Sequence, residues 1–235
     1  MSSRQLLLAA VILAAVATIA GLVVRGRVRQ CWSFAAYLSS VVICGAFFIQ
    51  DVYFTKEVWM ARQVIFDVLK TAVALEMTWQ VVRAFPGALR TARVFALLLL
   101  AGSTVLLAAG LSHSSSYLTV LGAWQPRVVA CTALLFTLTA LLVAWYHLPI
   151  RRLHRAIMGG FTIYLAFFAT VLSILQRSFH SPEARYWYGQ LDSYAYLALV
   201  IYWARAAWAR AEEPMPVPLA VPERPEAPAL VEHAA

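Results

Sequence analysis

Residues 6–24 read LLLAAVILAAVATIAGLVV, nineteen positions without a charged side chain. About 20 consecutive apolar residues in a helix cross the ~30 Å hydrocarbon core of a bilayer. A helix also satisfies its own backbone hydrogen bonds, which lipid cannot do. Comparable runs recur along the chain, at about 5–24, 32–50, 58–82, 94–111, 127–147, 156–176 and 190–209, separated by short breaks that contain arginine. They predict an all-α polytopic membrane protein: a seven-transmembrane helix bundle over 1–210, then a proline-rich tail over 211–235 without packed structure. Pro86, Pro126, Pro149 and Pro182 are expected in the connections, where a missing N–H costs little.

Composition supports the same class. The chain is 62% hydrophobic and 13% charged, whereas soluble domains carry roughly 25% charged residues. So little charge cannot cover a water-facing surface. The first run is long and its heavier positive flank, Arg25, Arg27 and Arg29, follows it. It therefore reads as a span rather than a cleaved leader.

Basic residues give the direction. Twelve arginines fall on one side of the seven-span scheme, among them Arg25, Arg27, Arg29, Arg151, Arg152, Arg155, Arg205 and Arg210, against six basic residues on the other. The richer side is expected to be cytoplasmic, with the N-terminus outside and the C-terminus inside. The tryptophans fit this scheme at headgroup depth: Trp59, Trp124 and Trp187 near the outer boundary, and Trp32, Trp79, Trp145, Trp203 and Trp208 near the inner one. The scarcity of lysine beside abundant arginine and alanine points to a GC-rich bacterial source and a bacterial inner membrane.

Other classes are disfavoured. The net charge of +8 is spread over short loops and forms no basic recognition helix, so nucleic acid is not an expected partner. Cys31, Cys44 and Cys131 form no CxxC pair. The histidines lie in connections, at a span end or in the tail, which disfavours haem ligation. A retinal protein needs a lysine in its last span, and 190–209 has none. No catalytic motif occurs, so neither an enzymatic activity nor a cofactor nor a metal is expected.

The one anomalous span contains FDVLKTAVALEMTWQ, residues 66–80. An Asp or Lys at mid-membrane costs about 2.5–3.5 kcal/mol, while each large apolar residue returns about 0.3–0.6. The ten Val, Leu, Ile and Phe residues of 58–82 are together worth roughly 3–6 kcal/mol, which Asp67 and Lys70 nearly cancel. Neighbouring helices must shelter them. At about 100° per residue, Gln63, Asp67, Lys70, Thr71, Ala74 and Thr78 share one stripe, on which Asp67 and Lys70 can pair at i and i+3. Glu76, Gln80 and Arg83 lie roughly opposite and read as an interfacial anchor.

Polar residues of other spans are candidate partners for the stripe. They are Asp192 with Tyr188 and Tyr196; Thr162, Tyr164, Thr170, Ser173 and Gln176; and Tyr37, Ser39, Ser40, Gln50 and Asp51. The expectation is an outward-facing polar cavity around Asp67 and Lys70, with Glu76, Asp192 and Tyr196 as further ligand or ion-pair residues. Intramembrane ionisable groups are functional by default.

Small residues predict close helix contacts: Ala10, Ala14, Ala17 and Gly21 in the first span, and Gly159 and Gly160 in the sixth. Spans one to three and five to seven also share an order of elements, a weak three-one-three repeat. The expected function is a sensor or signalling bundle. A transporter of a small solute or ion using the same pair, or a structural subunit, is the alternative. Expected partners are the bilayer and a cytoplasmic protein contacting the inner loops or the tail.

Overall fold

The computed structural model describes residues 3–48, 56–83, 94, 117–145, 150–177 and 182–210. Within them the fold is all-helical, with no strand. The six helices are α1 (Ser3–Val24), α2 (Trp32–Phe48), α3 (Lys56–Arg83), α4 (Tyr117–Trp145), α5 (Arg152–Arg177) and α6 (Pro182–Trp208). The expected span 94–111, apart from Val94, and the tail 211–235 lie outside the described residues. Among the described residues, two helices are long and apolar enough to cross a membrane, over Gln5–Val24 and Arg127–Trp145, and Trp32–Phe48 is apolar but shorter.

Each helix packs on two others. α1 meets α2, α2 meets α3, α3 meets α4, α4 meets α5, α5 meets α6, and α6 returns to α1, so the six close a ring; α3 and α5 also touch across it. The pairs α1–α2, α2–α3 and α5–α6 are antiparallel, as contacts of Gly45 with Ile12, Ser33 with Glu76 and Ala156 with Trp203 require. Two seams are parallel. Thr71 and Thr78 on α3 pair with Thr132 and Thr139 on α4, at 3.1 and 2.9 Å. On α1, Thr18 and Gly21 meet Val200 and Ala207 on α6 in the same order. Thus α1–α2–α3 and α4–α5–α6 follow each other round the ring in the same sense, in the order of the repeat seen in the sequence.

Small residues set the seams. A Cβ on Gly21 would lie 3.0 Å from the Trp208 indole and 3.1 Å from Ala207. One on Gly160 would lie 2.6 Å from Trp203 Nε1. Gly159, by contrast, faces open space. The packing role expected of both glycines belongs to Gly160 alone.

The ring's centre is aromatic. Phe34, Tyr37, Phe136, Phe161 and Trp203 are almost wholly buried, and Phe66 is nearly so. Phe161 stacks on Phe136 at 4.8 Å and lies 4.6 Å from Trp203, while Phe34 meets Trp203 edge-on at 5.0 Å. Such pairs add about 0.5–1.5 kcal/mol beyond area burial. Trp203 departs from its expected boundary role. Its ring fills the core, and its N–H finds the Ala156 carbonyl at 3.2 Å, so it needs no headgroup partner.

Helix ends differ from expectation in three places. Helix α4 starts at Tyr117 and runs through Pro126, which forfeits one hydrogen bond without ending the helix. Pro182 opens α6, in the first turn where its N–H would have no partner anyway. His154, expected in a connection, is buried in the first turn of α5. α1 ends at Val24, and Gly26 just beyond it, with a φ of 63°, lets Gly26 N–H bond Val23 O and Arg27 N–H bond Leu22 O, a Schellman close.

Candidate functional site

The stripe on α3 forms as its spacing implies. Lys70 Nζ lies 3.0 Å from Asp67 Oδ1, and both residues are 8% exposed. Gln63 donates to the same oxygen at 3.4 Å from one turn earlier. Thr71 donates to the Asp67 carbonyl at 2.8 Å and pairs with Thr132, while Thr78 pairs with Thr139. The stripe therefore faces α4. Lys70 also sits 5.9 Å above the Phe168 ring of α5, in cation–π range. One of its three N–H bonds reaches Asp67, leaving donor capacity beside a buried carboxylate.

Asp192 and Tyr196 belong to an adjoining polar layer. Asp192 accepts from the Tyr164 hydroxyl at 3.1 Å, and the Tyr196 and Tyr37 hydroxyls pair at 2.9 Å. The Tyr164 and Tyr196 rings are 5.4 Å apart, and Tyr164 reaches Phe168 at 6.1 Å. Phe168 thus neighbours both Lys70 and Tyr164, the donor to Asp192. Nearby, the Arg62 guanidinium lies over Phe48 and Phe66, at 4.9 and 5.0 Å. The layer brings α2, α3, α5 and α6 together.

Not every expected partner joins it. Thr170 is exposed and bonded to its own helix, as Ser39 is within α2. The buried Thr162 hydroxyl has no hydrogen-bond partner. Gln50 and Asp51, and the side chains of Ser173 and Gln176, lie outside the described residues.

Glu76 faces the other way, and its role is more specific than the expected anchor. Its carboxylate accepts from the backbone N–H groups of Trp32 at 3.2 Å and Ser33 at 2.9 Å, and from the Ser33 hydroxyl. These are orphan donors of the first turn of α2. A Ser, Thr, Asp or Asn before the helix would ordinarily take them. Here the preceding residue is Cys31, whose thiol turns back to the Arg27 carbonyl at 3.4 Å. A carboxylate from α3 supplies the cap instead, and its charge suits the positive end of the α2 dipole.

The same connection is held on its other sides. Gln80 Nε2 and His154 Nε2 (at 3.2 Å) both donate to the Gln30 carbonyl. Arg27 donates to the carbonyls of Ala206, Ala207 and Ala209, and Arg25 to that of Trp208, which closes the C-terminus of α6. Burial, reinforced by the Glu76 charge, pushes the Cys31 thiol up to about 12. Burial also holds the His154 imidazole below its ordinary range, with Arg151 acting in the same direction and the bond to Gln30 against it. Segment 25–33 is thus a hub for the ends of α1, α2, α3, α5 and α6.

Sequence reasoning brought Asp67 and Lys70 together and placed Glu76 on a separate face. It missed the hub. The available signal was a helix starting at Trp32 with no capping residue before it and an unexplained acid on a neighbouring span. No family model, no curated protein and no solved structure matches the chain.

Proposed function

We propose that the chain is a seven-span integral membrane protein of a bacterial inner membrane that works as a sensor or signalling bundle. Its input is the polar layer around Asp67, Lys70 and Asp192, and its output is the hub at residues 25–33. One observation carries the reading: α3 bears both the buried Lys70–Asp67 pair and, nine residues further on, the carboxylate that caps α2. Helices transmit axial shifts as rigid rods. A ligand or proton that alters the pair's geometry would move Glu76 against Trp32 and Ser33. The Arg27 contacts would carry that motion to the end of α6.

Two features support the membrane topology. Large apolar side chains are exposed on all six helices, for example Leu13, Phe47, Val68, Leu141, Ile163 and Ile201, a pattern that lipid contact explains and water does not. The parallel seam between α3 and α4 is what a chain making one more crossing between Arg83 and Tyr117 requires.

The test is a screen of small solutes and pH by thermal shift on the purified protein, scored against Asp67→Asn and Lys70→Met. A stabilising condition that both variants abolish supports the input site. Responses that survive both substitutions remove it.

Transport through the same layer is the second reading. The two like-ordered triplets favour it, because carriers built from parallel repeats hold their site between the halves. Solute or proton flux in proteoliposomes, lost in Asp67→Asn, would select it.

A further inference from the structure

The directions of the helices bring the arginines of three separate segments to one end of the ring. At that end α1, α3, α4 and α6 finish and α2 and α5 begin, as the contacts of Glu76 with Ser33, His154 with Gln30 and Arg25 with Trp208 establish. Arg29, Arg151, Arg155, Arg205 and Arg210 are all exposed there. Among the described residues Glu76 is the one acid at this end, and it is committed to the α2 amides. The surface is strongly positive, and its charge is not balanced from within the bundle.

The balancing charge lies elsewhere in the chain. Of eleven acidic residues, five (Glu212, Glu213, Glu223, Glu226 and Glu232) follow Ala211, with a single basic residue, Arg224, among them. That segment leaves the bundle directly after Arg210, at the positive end itself. We propose that residues 211–235 dock on this arginine-lined end and act as its intramolecular acidic partner.

Reach and concentration favour it. A flexible 25-residue chain has a root-mean-square span of about 25–30 Å, comparable with a ring of helices each about 10–12 Å wide. The segment contains six prolines, and proline-rich chains reach further than flexible ones of equal length, toward ~3.1 Å per residue. Tethering supplies an effective concentration in the millimolar range, so individually weak, exposed ion pairs suffice. For the same reason the contact is salt-labile. Because it stands on the charge layout alone, it does not depend on what the interior pair binds.

The test uses the full chain with nitroxides on Val24→Cys, an exposed site at the end of α1, and Ala229→Cys in the tail. Cys44 and Cys131 are replaced by serine, and the buried Cys31 stays. In nanodiscs of zwitterionic lipid at low salt, the expected inter-label distances are short and narrowly distributed. They should broaden near 1 M salt, where the Debye length is ~3 Å, and also at low salt when the five tail glutamates become glutamine. Since the substitutions lie outside the bundle, its folding is unaffected. A broad distribution at low salt that neutralisation leaves unchanged overturns the proposal. A distribution that is narrow in zwitterionic lipid but broad in anionic nanodiscs overturns it too, and assigns the arginines to lipid headgroups.

Discussion

Glu76 on α3 caps the helix that begins beside Ser33, forty-three positions away in the chain, with its carboxylate 2.9 Å from the Ser33 N–H. A cap given by the next residue would stabilise α2 alone. One given from another helix also fixes how α2 and α3 sit against each other. The relationship turns a local requirement of the backbone into a tertiary constraint.

Its removal has a predicted cost. Replacing a capping residue typically costs about 0.5–2 kcal/mol, and hydrogen bonds to charged groups lie toward the upper part of the range. Glu76→Ala should therefore lower unfolding stability by about 2 kcal/mol, and Glu76→Gln by roughly half as much, since an amide oxygen still accepts. Denaturation of detergent-solubilised protein measures both. Equal losses for Gln and Ala would mean that the carboxylate's charge and both its oxygens are needed; no loss for either would remove the cap from the account.

The Lys70–Asp67 pair calls for a double-mutant cycle. Deleting one member of a buried pair leaves an uncompensated charge and costs about 3–5 kcal/mol, whereas replacing both with apolar groups of similar size is often neutral. Lys70→Met and Asp67→Leu should each destabilise strongly, and the double variant should recover most of the loss. Additive losses would show that the pair is not energetically coupled. A recovered double variant that has also lost ligand or proton response would separate function from folding.

How much of this was legible in the sequence follows from which interactions are local. The pair on α3 depends on one helix's periodicity, so spacing alone placed Asp67 beside Lys70 and Glu76 on a different face. Each of the six described helices overlaps an apolar run, because length and hydropathy are properties of a segment. Trp203, His154 and Glu76 were misread or underread for the opposite reason. The Ala156 carbonyl that takes the Trp203 N–H, and the Gln30 carbonyl that takes His154, come from distant positions, and no pattern within a span announces them. Pro126 was misplaced because its local penalty is small against the packing of a 29-residue helix. The ring order needed both kinds of information. The repeat of elements was visible in the chain, but the parallel seams were not.

Adjacent glycines provide a contrast that controls itself. Any residue at 160 would drive Cβ to 2.6 Å from Trp203 and 2.7 Å from Leu199, both in the packed core. Gly160→Ala should cost about 1–3 kcal/mol through overpacking. At 159 nothing lies within 4 Å, so Gly159→Ala should be neutral or stabilising by up to about 1 kcal/mol from helix propensity. Thermal unfolding of the two variants checks this, and the reverse order would mean that α5 is rotated relative to α6.

The hub also sets a pH window. The His154 imidazole is held below its ordinary 6.5 by burial, so the unfolded chain takes up a proton before the folded one does. Its contribution is complete above about 6.5 and is lost as pH falls below that value. The Cys31 thiol is pushed from 9.0 to about 12, so the unfolded chain releases its proton first. That contribution is complete below about 9 and is lost as pH rises toward 12. Each limb has a slope of at most ~1.4 kcal/mol per pH unit, and stability should be greatest between the two. His154→Gln, which keeps a donor for Gln30, should flatten the acid limb, and Cys31→Ser the alkaline one. Denaturation midpoints across pH, taken as differences from the parent chain, isolate these two groups from the other titrating residues. A parent-like alkaline limb in Cys31→Ser would remove the buried thiol as its cause, and with it the close packing of segment 25–33 against α3 that keeps the thiol from water.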